Sequence, residues 1–227
     1  MLDWPAFGDA LWTVSDELGI RPEWQLPVLG IESGGTLDPR AVNANGCVGL
    51  NQFCPGTLEQ YVTVPAAEYR DWPASVQLAG PILEYWRDAV RYGPIRSGAR
   101  LMLAQLGPAL LASSPSLGSP VYAAPSSAYT QNRWLDPAGK GYFTVGDLAD
   151  AVARASASPA VRQALALAYA MRPGEWTRDP GLGEDWPSPR RLAAPRLPAL
   201  SPVVPLVATV VLVAVAGYAA RERRRLV

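Results

Sequence analysis

The chain contains no histidine. Neither a Ser-His-Asp triad nor a Cys-His pair can be assembled from it. Only two cysteines are present, which excludes zinc sites of the usual His/Cys type. Lys140 is the sole lysine. Acid–base work is left to carboxylates, tyrosines, that lysine or a terminus, and carboxylate chemistry is the class that remains. A basic excess is lacking too. Lys plus Arg number 20 and Asp plus Glu number 20, so no footprint for a nucleic-acid partner is expected. Residues 1–20 lack a basic start, a long apolar run and a small-residue cleavage site, so no secretory signal is expected there.

What is present is helical patterning. The length of 227 residues suits one substantial domain with appendages. Phe7, Leu11, Trp12 and Leu18 recur at helical spacing in the first 20 residues, and Gly19 is a stop signal. A second helix is expected over 22–33, with Pro22 in its first turn and Trp24, Val28, Leu29 and Ile31 on its apolar side. Residues 56–70 read as a short helix and a loop. Residues 73–92 read as an amphipathic helix through Val76, Leu83, Trp86 and Val90, split or kinked at Pro81. Further helices are expected over 97–113, 146–155 and 159–171, the last with Val161, Leu165 and Leu167. Trp24, Trp72, Trp86 and Trp134 are mostly expected in the core, with lining of a sugar groove as the alternative. The expected fold is an all-α domain over 1–171.

Residues 136–147 have the length of a calcium-binding EF-hand loop. Asp136 falls at position 1, Gly141 at 6, Phe143 at 8, Thr144 at 9 and Asp147 at 12. Positions 3 and 5 are Ala138 and Lys140, where oxygen ligands belong. The segment reads as a degenerate, metal-free loop in which Lys140 supplies the charge of the missing cation. The competing reading is an ordinary polar turn. No metal site is expected.

Composition changes after residue 171. Residues 172–201 are dense in proline and glycine without periodicity, which marks a semi-extended linker. Residues 202–220 carry no charge. As a helix they would span roughly 28 Å, close to the hydrocarbon core of a bilayer. Residues 221–227 follow with four arginines. This pattern predicts a single transmembrane helix over 202–220 with a basic cytoplasmic tail and the large domain on the far side of the membrane.

The chemistry is concentrated in residues 26–55. Glu32 ends an apolar run and is followed by Gly34 and Gly35, which leave room for a polymer to approach. Burial disfavours an ionised carboxyl, and a shift from about 4.3 to about 6 needs only about 2.3 kcal/mol. The local alternative is a solvated glutamate at a helix end. Cys47 and Cys54 flank a Gly-Leu-Asn-Gln turn, either as a disulfide or as two free thiols.

The succession E-S-G-G, P-x-A-V-N-x-N-G, V-G-L-N-Q-F and P-x-T-L resembles the core of lytic transglycosylases and goose-type lysozymes. Glu32 and Ser33 match the family's E-S pair. Gly49, Leu50, Asn51 and Gln52 match its G-L-M-Q turn, with Asn51 in place of the commoner methionine. Tyr129 and Asn132 are candidates for its A-Y-N motif, although they are not adjacent. The resemblance is specific over 26–58 and loose to about residue 135.

The resemblance implies a lysozyme-like domain that cleaves the β-1,4 bond between N-acetylmuramic acid and N-acetylglucosamine in peptidoglycan. Glu32 would be the single acid/base, and no cofactor is implied. Ser33 and Gln52 would position Glu32 and the sugar, with Gly49, Leu50 and Asn132 in the same substrate-binding set. Tyr129 would touch Glu32 or the substrate, or else serve only in packing. Asp38 is the alternative second carboxylate, which would open a water-using mechanism. A wall-cutting domain beside a membrane span is expected in a phage virion, among other virion proteins, acting during genome entry. The alternatives are a bacterial membrane-anchored wall-remodelling enzyme and a non-catalytic virion or wall-binding protein that keeps the scaffold.

Overall fold

The computed structural model describes residues 2–114 and 116–175. The first helix, α1 (Trp4–Leu18), starts where the Asp3 carboxylate accepts the Ala6 N–H at 3.3 Å. It ends at Gly19, as the sequence predicts. Next comes α2 (Pro22–Glu32), with Pro22 in its first turn. Nearly every residue of α2 up to Gly30 is buried, because the helix is apolar on all sides. It packs against α1, α7 (Gly98–Leu106), α10 (Val145–Ser156) and α11 (Pro159–Met171). Leu26, Val28 and Leu29 are fully enclosed, and each contributes roughly 1.5–3 kcal/mol by leaving water. Gly30 permits the close approach of α11, since a Cβ there would lie 2.9 Å from Val161 Cγ2.

Short helices follow. They are α3 (Pro55–Tyr61), α4 (Ala66–Tyr69), α5 (Ala74–Gln77) and α6 (Leu83–Ala89). The expected helix over 73–92 is broken at Pro81 by a π-turn, Leu78–Ile82, in which Gly80 leaves helical geometry. The expected helix over 97–113 is two pieces. After α7 the chain turns at Gly107 and Pro108 before α8 (Leu110–Ser113).

The fold is mostly helical, with one small sheet that the sequence reading omits. Strands β1 (Pro120–Ala123) and β2 (Tyr142–Thr144) pair antiparallel, Tyr122 opposite Phe143. They flank α9 (Ser127–Gln131), and β2 lies within the 136–147 loop. Phe143, at position 8 of that loop, is wholly buried.

Two expected core positions are exposed. Val76 and Leu167 keep 47% and 38% of their surface, because the neighbouring helices meet the other faces of their segments. Trp24 and Trp86 belong to the core, Trp72 packs at its edge, and Trp134 is half exposed. Arg172, the first residue of the expected linker, is not free. Its guanidinium binds the Asp16 carboxylate through two contacts of 2.8 Å and lies over the Trp12 ring. Among the described residues no helix is long and apolar enough to cross a membrane. The predicted span over 202–220, the tail over 221–227 and the linker beyond Glu175 lie outside the described residues.

Candidate active site

Glu32 is the last residue of α2. Ser33 ends the helix by donating its hydroxyl to Leu29 O at 2.7 Å and accepting the Leu37 N–H at 2.8 Å. The Ser33 hydroxyl is thus committed to shaping the turn behind Glu32. Glu32 itself is half-buried as a residue. Its dense surroundings push the carboxyl up to about 8, with burial as the cause. Among the described residues no group donates a hydrogen bond to it and no cation pairs with it. Nothing offsets the cost of ionising it there.

The Gly-Leu-Asn-Gln turn is the second piece. Val48 and Phe53 exchange both backbone hydrogen bonds at 2.9 Å, closing a loop whose tip is residues 49–52. Outside that bridge, Cys47 and Cys54 form a disulfide. Gly49 has a φ of +86°, and a Cβ there would lie 2.5 Å from Tyr69 Cε1 and 2.9 Å from Gln77 Oε1. Only glycine fits both the backbone and the space. Leu50 is fully buried and serves as the turn's apolar anchor.

Two distant glutamines hold this turn in place. Gln77 Oε1 accepts the Leu50 N–H at 2.8 Å. Its amide donates to Pro39 O and Tyr69 O, both at 3.0 Å. Gln105 donates to Asn51 O at 2.9 Å and accepts the Trp86 indole N–H at 3.1 Å. Neither glutamine is among the residues the sequence singles out, because helical periodicity carries no sign of long-range polar contacts. Gln52 folds back, donating to Gly49 O at 2.8 Å and Ala41 O at 3.1 Å. The Asn51 side chain is fully buried with neither amide atom partnered among the described residues.

The turn walls one side of a cavity of about 660 Å³. Gln52 and Phe53 line it with Tyr61, Tyr85, Asp88 and Gln105. The Phe53 and Tyr61 rings stack at 5.9 Å, and Tyr85 meets both edge-on at 5.4 and 5.5 Å. This combination of aromatic faces and side-chain amides, with Asp88 and Arg91 also in the wall, suits a hydroxyl-rich ligand. Glu32 is not itself a lining residue. The Tyr85 phenol is held well above its ordinary value, first by burial and then by the charges of Tyr61 and Glu32. Tyr85 and Glu32 are therefore close enough to sense each other.

Asp88 also lines the cavity and is a carboxylate that sequence reasoning misses. It accepts from the Tyr61 hydroxyl at 3.1 Å and pairs with Arg91 at 3.2 Å. Asp38, the alternative partner for Glu32, is exposed, accepts the Arg40 N–H at 2.9 Å and does not line the cavity.

The expected third motif is not part of this arrangement. The Tyr129 hydroxyl donates to Asp136 Oδ2 at 2.8 Å, inside the 136–147 loop. The Asn132 side chain donates to Ala128 O at 3.0 Å at the end of α9. Both serve local structure, and Tyr129 fits the packing reading. Trp134 lines a separate apolar groove with Ile31, Gly34 and Gly35. Comparison with known proteins gives no match, whether to family models, to curated proteins or to solved structures.

Proposed function

We propose that the protein is a peptidoglycan-cleaving lytic transglycosylase with Glu32 as its single acid/base. The observation that carries this reading is the half-buried Glu32, with a pKa of about 8, whose charge is felt by Tyr85 in the wall of an aromatic-lined cavity. At neutral pH such a group holds a proton to give, which a general acid requires. Glu32 protonates the glycosidic oxygen as the bond to C1 breaks. The resulting carboxylate then removes the proton of the muramyl 6-hydroxyl, whose oxygen bonds to C1. The product is a 1,6-anhydro sugar, and Glu32 ends protonated, as it began. The Gly49–Gln52 turn and Tyr85 form the wall against which the sugar lies. The placement of Asp88, tied to Tyr61 and Arg91, supports a mechanism with one free carboxyl.

The uncharged run over 202–220, followed by arginines, supports a membrane anchor with the cutting unit on the other side. A wall-cutting unit joined to a membrane segment is the combination a phage particle needs to breach both barriers, and we place the protein in that setting. The test is full-length protein in detergent on purified peptidoglycan, wild type against Glu32→Gln. Release falling by about 10²–10⁴-fold in the variant is expected. Anhydro ends by mass spectrometry identify the transglycosylase, while reducing ends identify a hydrolase that uses water. Equal release from both proteins, or none from either, overturns the enzyme reading and favours a scaffold that only binds the wall.

A further inference from the structure

The two carboxylates that end the 136–147 loop are already occupied by the loop itself. Asp136 Oδ1 accepts the Lys140 N–H at 3.0 Å. Its Oδ2 accepts the Gly141 N–H and the Tyr129 hydroxyl, each at 2.8 Å. Asp147 Oδ2 accepts the Thr144 N–H at 2.7 Å and the Thr144 hydroxyl at 2.8 Å, which caps the start of α10. Both Asp147 oxygens also receive the Lys140 ammonium, at 3.0 and 2.8 Å.

A calcium ion in a loop of this spacing takes oxygens from positions 1, 3, 5, 7, 9 and 12. Position 3 is the methyl group of Ala138, and position 5 brings a positive charge on Lys140. Among the described residues no group of three or more His, Cys, Asp or Glu side chains comes together to hold a metal. The donor set does not fit calcium.

We propose that Lys140 is the resident cation of this loop, its ammonium joining position 5 to position 12 as a dication would, so that the loop closes without metal. The pair is better placed than an ordinary surface salt bridge. Lys140 and Asp147 expose only 33% and 19% of their side chains, so solvent screens them less. The ammonium also lies 5.1 Å from the centre of the Tyr142 ring. Asp147 caps α10, and α10 packs on α2, whose last residue is Glu32. Closure by an internal cation therefore supports the Glu32 helix independently of the calcium concentration outside. This inference stands whether or not Glu32 cleaves peptidoglycan.

The test is thermal unfolding of the full chain in detergent, followed by tryptophan fluorescence, with excess EDTA or excess calcium chloride. The wild-type midpoint is expected to be the same in both, with no terbium emission that calcium competes away. Lys140→Met is expected to lower the midpoint by about 2–4 °C, equally in both conditions. Lys140→Asp combined with Ala138→Asp is expected to make the midpoint rise with calcium and to bring calcium-competed terbium emission. A wild-type midpoint that falls in EDTA overturns the proposal. So does terbium emission from the wild type that calcium displaces, or a Lys140→Met midpoint equal to that of the wild type. If the double variant does not fold, Lys140→Arg decides. A midpoint nearer the wild type than that of Lys140→Met supports an ionic closure, and one no higher than Lys140→Met overturns it.

Discussion

At the scale of single residues, Glu32 carries the most consequence, and its effect runs in a defined direction with pH. Burial lifts its carboxyl from an ordinary value of 4.5 to about 8. Between those values the unfolded chain has released the proton while the folded protein still holds it. The folded state binds more protons, so stability falls as pH rises through this window and the loss is complete above about 8. Glu32→Gln removes the ionisable group. The variant is expected to unfold at a higher midpoint than the wild type at about pH 9 and at nearly the same midpoint at about pH 4. Calorimetry across that range checks it, and a variant that is destabilised at the higher pH contradicts the burial argument. The catalysis we propose has the same limit from the other side. An acid that loses its proton near 8 predicts release from peptidoglycan that declines tenfold per unit above that value. What the sequence made legible was the place of Glu32 at the end of an apolar helix next to glycines, a local pattern, while its candidate role came from the wider resemblance.

At the scale of elements, what was legible and what was not divide along the range of the interactions. The end of α1 at Gly19 and the start of α2 at Pro22 are set by residues within one turn and were legible, whereas the Asp3 and Ser158 caps of α1 and α11 were not singled out. The break at Pro81 is equally local. The β1–β2 pair was missed because Pro120–Ala123 is only four residues long and its partner lies beyond a turn and a helix. The Tyr129 hydroxyl bonds to Asp136, the packing alternative of the two readings, and motif order along a chain does not say which carboxylate a hydroxyl reaches. Gln77 is the clearest omission. It is fully buried and bridges the Leu50 N–H to the carbonyls of Pro39 and Tyr69, joining α5 to the Gly49–Gln52 turn. Gln77→Leu would leave the Leu50 N–H and Pro39 O without a partner, while Tyr69 O keeps the Trp72 N–H at 3.1 Å. A loss of about 2–3 kcal/mol is expected in denaturant unfolding. The proposed release from peptidoglycan should fall even where the variant remains folded, because the turn that walls the cavity loses its anchor. A variant as stable as the wild type would show that water replaces the amide.

At the scale of the molecule, the two ends of the described unit are fastened to each other. The Trp12 indole N–H donates to Ala168 O at 2.9 Å, and the ring meets Tyr169 edge-on at 5.4 Å. The Tyr169 hydroxyl binds Glu23 on α2, and Arg172 reaches Asp16 on α1. Helix α11 thus covers both α1 and the helix that carries Glu32. It also fills the space above Gly30 with Val161 and the space above Gly8 with Met171. Loss of α11 would expose this whole apolar seam and leave the Trp12 N–H without its acceptor. A chain ending at Glu175 keeps every one of these contacts. It is expected to unfold cooperatively at the midpoint of the full chain, and without detergent. A chain ending at Ser158 is expected to show no cooperative transition and no near-ultraviolet circular dichroism, because a core this size does not tolerate a missing wall. Circular dichroism and thermal unfolding of the two truncations decide the matter. A chain ending at Ser158 that unfolds cooperatively would mean that α11 is an accessory layer and that α1, α7 and α10 suffice to hold α2.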